Sequence, residues 1–116
     1  MKPLSFDTLR GNWATLLLAT DDKGHIDFTR QADEIDILIA SKPNGIYSNG
    51  TAGEFYSQNL DEFVCLNQLL TEKCEAAGVA FQIGVSHPCA QESLVRLQLI
   101  SELEPADVQV ILPDWF

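Results

Sequence analysis

Apolar and polar positions change their period several times along the chain, and each change marks an element. Residues 13 to 19 (WATLLLA) are a continuous apolar run ending in the turn cluster Thr20-Asp21-Asp22-Lys23-Gly24, the pattern of a buried strand followed by a loop. From Asp27 to Ser41 the spacing is helical. Ala32, Ile35, Leu38 and Ile39 share one stripe, Arg30, Asp33 and Glu34 the other, and Lys42-Pro43-Asn44-Gly45 stops the helix. A short strand, Gly45 to Ser48, leads into the stretch NGTAGEF, Asn49 to Phe55. Asn59-Leu60-Asp61-Glu62 then reads as an N-cap with a glutamate three residues on. It predicts a helix to about Ala77, with Phe63, Leu66, Leu69, Leu70 and Cys74 inward and Gly78 as its stop. A third strand, Val79 to Val85, ends in Ser86-His87-Pro88. The next helix runs from about Ala90 to Glu102 with Leu94, Leu97 and Ile100 as its apolar positions, Glu104-Pro105 closes it, and a fourth strand spans Asp107 to Leu112.

The order is β-α-β-α-β-α-β, and runs such as VQVIL are apolar on both faces. Both facts predict an α/β fold with a parallel sheet covered by helices and ligands at the carboxyl ends of the strands. At 116 residues the chain is read as one domain, 1–116, without repeat or linker. The NGTAGEF stretch falls where the second strand hands over to a helix. Gly50 and Gly53 are expected to let the backbone bend through conformations a Cβ would resist, exposing N–H groups between them, with Thr51 adding a hydroxyl. That arrangement suits a carboxylate held by main-chain donors; it also suits a turn that is structural only.

Charge narrows the partners. A net charge of −10, with lysines and arginines scattered, argues against a nucleic-acid or anionic-membrane surface. Cys65, Cys74 and Cys89 show no ligand spacing and read as reduced thiols of a cytoplasmic protein. The longest apolar stretch, Trp13 to Ala19, is too short to span a bilayer. Asp21 and Asp22 lack a third ligand and do not make a metal site; His25 reads as a solvated loop residue. Glu54 is either a general base or a brace that accepts backbone hydrogen bonds. His87 is either a substrate contact or a loop histidine, and Phe55 and Tyr56 either line a pocket mouth or pack on the next helix.

With GTAGE at the end of its second strand, the chain resembles the dihydrodipicolinate synthase and N-acetylneuraminate lyase family, Schiff-base pyruvate aldolases with a (β/α)8 barrel. The supporting stretches fall in family order: an Asp21-to-Asp27 loop, GTAGE, a capped helix beginning N-L-D-E, Ile83-Gly84-Val85, and Ala106 to Pro113. The resemblance implies that Gly50, Thr51, Ala52 and Gly53 bind the carboxylate of pyruvate or a related 2-keto acid, and that Thr51 takes part in a proton relay. Ala52 stands where the family has a second hydroxyl, at a cost of about 1.5 to 3 kcal/mol if nothing replaces it. Leu18-Ala19 replaces the family's Thr-Pro, and Trp115 after Pro113-Asp114 replaces a relay tyrosine, which points away from a true dihydrodipicolinate synthase toward a divergent 2-keto-acid aldolase or lyase.

The resemblance also implies a fragment. A barrel of this kind takes about 250 residues, so the chain corresponds to its first half, β1 to β4. The family's Schiff-base lysine and its tyrosine partner are expected beyond Phe116, and none of Lys2, Lys23, Lys42 and Lys73 occupies an apolar setting that would make it a nucleophile. The whole protein is expected to need no cofactor beyond the covalent imine, and to form a homo-oligomer, tetramer or dimer. Two functions follow: part of a class I aldolase or lyase, or a non-catalytic half-barrel or degenerate ligand-binding homologue that acts by assembly with another chain. A stand-alone flavodoxin-like domain is disfavoured, because no phosphate loop follows the first strand. The strand edges of a half-barrel are expected to drive pairing.

Overall fold

A computed structural model describes residues 1–112. The departure at Trp115 lies outside the described residues. The elements are β1 (Trp13–Thr15), α1 (Phe28–Ala40), β2 (Gly45–Ser48), α2 (Leu60–Ala77), β3 (Ala80–Gly84), α3 (Ala90–Leu99) and β4 (Asp107–Gln109), with 3-10 turns at Phe55–Ser57 and Ser101–Leu103. The sheet order is β1-β2-β3-β4 and every pairing is parallel. Because the winding never reverses, the doubly wound order of a flavodoxin-like domain is excluded. No helix among the described residues is long and apolar enough to cross a membrane.

Helix ends obey local chemistry. The Asp27 side chain accepts from the N–H groups of Thr29 and Arg30 at the start of α1. Asn59 and Glu62 form a reciprocal capping box on α2, and Gly78, at φ +67°, closes that helix in the left-handed conformation. One face of the sheet is dry: Leu16, Ile46, Phe81 and Ile83 pack with Ile35 of α1, Phe63, Leu66, Leu70 and Cys74 of α2, and Ile100. Of the alternate residues, Thr15, Tyr47, Gln82, Asp107 and Gln109 point the other way and are half-buried and polar. On that concave face Thr15 donates to the Tyr47 hydroxyl, and Gln82 Nε2 donates to Asp107 Oδ2 at 3.0 Å.

Three strands are shorter than their apolar runs predict, each because another group takes over the ladder. Past Leu16, whose N–H still reaches the Tyr47 carbonyl, the amide of Gln31 accepts from Ala19 N–H at 2.8 Å and donates to Leu17 O at 2.9 Å. Val79 belongs to the α2 terminus, its N–H bonded to Cys74 O. After Gln109 the N–H of Ile111 turns to the Ser86 hydroxyl at 2.7 Å. The third helix is corrected in face as well as length. Arg96 is its buried position and Ile100 its buried C-cap, whereas Leu94 and Leu97 are 52 % and 41 % exposed.

Burial, helped by the neighbouring Glu75 charge, pushes the Cys74 thiol from 9.0 up to about 12, while Cys65 and Cys89 are exposed. Holding this thiol neutral stabilises the fold fully below pH 9.0, the unfolded value, and that contribution is lost as the pH rises toward 12. Iodoacetamide at pH near 8 is expected to label Cys65 and Cys89 in the native chain and Cys74 only after unfolding, as read by mass. Asn59→Ala, which removes half of the capping box, is expected to cost about 1 kcal/mol in urea denaturation.

Candidate functional site

The NGTAGEF stretch leaves the carboxyl end of β2 as a turn, closed by Glu54 N–H to Thr51 O at 3.1 Å, and passes into the 3-10 turn Phe55–Ser57. Thr51 and Ala52 are exposed; Gly50 and Gly53 are buried. No backbone carbonyl among the described residues accepts from the N–H groups of Gly50, Thr51, Ala52 or Gly53. These N–H groups and the Thr51 hydroxyl lie on one turn next to the ends of β1 and β3, a donor set whose chemistry suits an acceptor-rich ligand.

The glycines work differently from the sequence-based expectation. Neither Gly50 nor Gly53 has a positive φ; the left-handed residues are Asn49 at +58° and Glu54 at +51°, which flank them. What Gly53 supplies is close approach, since a Cβ there would lie 2.9 Å from the Leu16 carbonyl oxygen. Gly84 does the same from β3, where a Cβ would meet the Asn49 carbonyl oxygen at 2.6 Å.

Asn49 is held by a buried polar network that sequence reasoning missed. Asn67 Oδ1 accepts from Ser48 Oγ at 2.6 Å and from Asn49 Nδ2 at 3.2 Å, while Asn67 Nδ2 donates to Phe63 O at 2.7 Å. Gln58 Nε2 donates to Asn49 Oδ1 at 2.9 Å, tying the exit of the loop to its entrance. Side-chain partners such as these offset the left-handed strain at Asn49, a cost on the order of 1 to 3 kcal/mol. The available signal was Asn67 itself, a polar residue at the inward position four after Phe63.

The other candidates separate. The Glu54 carboxylate is exposed and accepts no hydrogen bond among the described residues, so the bracing reading of its side chain is corrected; the Glu54 carbonyl does the bracing, accepting from Ser57 N–H at 2.9 Å. His87 lines an apolar groove with Ser93, Leu94, Val110 and Leu112, and its Nδ1 accepts from Cys89 N–H at 3.0 Å. Phe55 and Tyr56 meet edge to face at 5.4 Å, with Tyr56 60 % exposed. The backbone N–H groups of His25 and Lys23 hold the Asp21 carboxyl below its usual range, as in an ordinary turn, and His25 and Asp22 are exposed. No group of three metal-ligating side chains occurs among the described residues.

The profile of the dihydrodipicolinate synthetase family matches residues 8–95. The chain belongs to this family. No curated protein sequence matches it. Among solved structures it is similar to N-acetylneuraminate lyase from Mycoplasma synoviae, with TM-score 0.85 and 20 % identity over 97 % of this chain and 39 % of that one. It is also similar to dihydrodipicolinate synthase from Aquifex aeolicus, with TM-score 0.81 and 15 % identity over 90 % and 35 %. YagE, a family protein from E. coli K12 in complex with pyruvate, gives TM-score 0.82 and 21 % identity over 93 % and 36 %. The likeness is one of fold. The chain spans less than two fifths of each of these family structures, and its four parallel strands match the first half of a (β/α)8 barrel.

Within that family frame the loop depends on the close packing of Gly84 under Asn49. Gly84→Ala is expected to destabilise the chain by about 1 to 3 kcal/mol and to shift the amide resonances of residues 49–53 more than those of α1. Unchanged amide positions in a folded variant would show that the contact does not shape the loop.

Proposed function

We propose that the chain supplies the carboxylate-binding rim of a class I, Schiff-base aldolase or lyase acting on pyruvate or a related 2-keto acid. The observation that carries this reading is the set of N–H groups from Gly50 to Gly53 that find no backbone acceptor among the described residues, beside the exposed Thr51, at the carboxyl end of β2. Such donors suit a carboxylate, and family membership makes a 2-keto acid the candidate, as does the pyruvate complex of YagE. Thr51 is proposed to bind the carboxylate and pass a proton along a relay. Ala52 contributes its N–H alone, one hydroxyl fewer than the family's loop.

The imine would form on a lysine outside these residues. Lys2, Lys23 and Lys42 are exposed, and Lys73 is paired with Asp36 at 2.7 Å, so none has the desolvated setting that yields a nucleophilic amine. Carbon–carbon bond cleavage or formation next to that imine is the proposed chemistry, with no external cofactor. A second reading, a non-catalytic half-barrel that acts by assembly with another chain, is favoured by one observation. Among the described residues β1 and β4 each have a single strand neighbour, and apolar side chains beside β4 stand open, Val110 at 58 % and Leu112 at 73 % exposed. On either reading the working unit is an oligomer.

Titrating the 15N-labelled chain with pyruvate is expected to move the amides of Gly50–Gly53 saturably, and Thr51→Val to weaken binding about tenfold. Pyruvate with borohydride is expected to add no mass to these 116 residues and one adduct to a protein that carries the lysine. Loop amides indifferent to pyruvate would refute the carboxylate rim.

A further inference from the structure

The polar network behind the NGTAGEF loop ends in a cation that the chemistry above does not use. Arg96 is 3 % exposed, whereas Arg10 and Arg30 lie at the surface. Its Cζ sits 4.8 Å from the Phe63 ring centroid, Nη1 donates to Phe55 O at 3.2 Å and Nη2 to Gln58 O at 3.4 Å. Among the described residues no carboxylate pairs with it within salt-bridge distance and Nε has no acceptor; burial lowers its pKa, with the Glu92 charge on the same helix opposing that in part. A buried guanidinium so poorly compensated is expensive compared with an aliphatic side chain over the same ring. An aliphatic side chain, however, could not hold two carbonyls at once.

Both carbonyls belong to the segment that leaves the loop. Gln58 also carries the amide that bonds Asn49, so one guanidinium fork on α3 reaches the exit of the loop directly and its entrance through a single intermediate. We propose that Arg96 is a positioning residue, whose planar fork locks the Phe55–Gln58 turn and thereby keeps the Gly50–Gly53 N–H groups presented at the rim. The order imposed on the loop stands on geometry alone; its consequence for 2-keto-acid binding rests on the function proposed above.

The test compares Arg96→Lys, which keeps the charge and loses the fork, with Arg96→Gln. In the wild-type chain, 15N order parameters over residues 50–57 are expected near 0.85, and in both variants they should fall toward about 0.6 while α1 and β2 stay rigid. The dissociation constant for pyruvate should rise about tenfold in each variant. Three results would overturn the proposal: wild-type loop order in both variants, wild-type order in the lysine variant alone, which would make charge the agent, or an equal loss of order across α1 and β2, which would make Arg96 merely structural. If neither variant folds, the wild-type Arg96 Nη signals decide: separate, slowly rotating signals support the fork, and averaged signals refute it. A wild-type chain whose loop is ordered but unmoved by pyruvate would sink the carboxylate reading and leave the positioning role standing.

Discussion

Asn67 gathers the polar side chains that the end of β2 turns into the protein. A parallel strand that stops short leaves polar groups inside the protein, and each must find a partner or cost on the order of 1 to 3 kcal/mol. Here the partner is a side-chain amide on α2, itself pinned to Phe63 O, which receives both Ser48 and Asn49. That single buried acceptor lets the chain leave the sheet at Asn49 in a left-handed conformation and enter the NGTAGEF turn. The presentation of Thr51, the approach of Gly53 to Leu16 and the place of Gln58 all follow from it.

The two faces of the sheet obey different rules. The helix side is a close-packed apolar core, as a parallel sheet covered by helices requires. The concave side carries Thr15, Tyr47, Gln82, Asp107 and Gln109, where a closed barrel is filled mainly by bulky branched side chains. Part of this polar surface is satisfied within the chain, through the Thr15–Tyr47 and Gln82–Asp107 hydrogen bonds, while Gln109 Oε1 is buried without a partner among the described residues. Whatever completes this face meets hydrogen-bonding groups and not an aliphatic layer, so complementarity there is polar. The groove beside α3 is the opposite, lined by Leu94, Leu97, Val110 and Leu112 and suited to an apolar neighbour.

Much of the fold was legible along the chain. The capping box at Asn59 and the stop at Gly78 are local signals read within a few residues, and the structure has both. The alternation of apolar runs with helical stripes set the order of elements, and the GTAGE stretch pointed to the family. The end of the WATLLLA run was not legible, because Gln31, distant in sequence, takes over the ladder at Leu17 and Ala19. Nor was the face of α3: the spacing of Leu94 and Leu97 favours one side, yet the helix turns Arg96 inward to reach Phe63 and two carbonyls of the loop.

Periodicity, caps and one short motif therefore determined by themselves the element order and the place of the NGTAGEF turn, since these rest on near neighbours in sequence, and the alternation of strand with helix implied the parallel sheet, whose pairs such as Trp13 and Gly45 lie far apart along the chain. Tertiary structure alone decided which polar residues go inside. Gln31 and Arg96 are buried because backbone groups left over from separate elements converge on them, Asn49, Gln58 and Asn67 because their amides partner one another, and no local pattern records which donor or acceptor will meet which side chain.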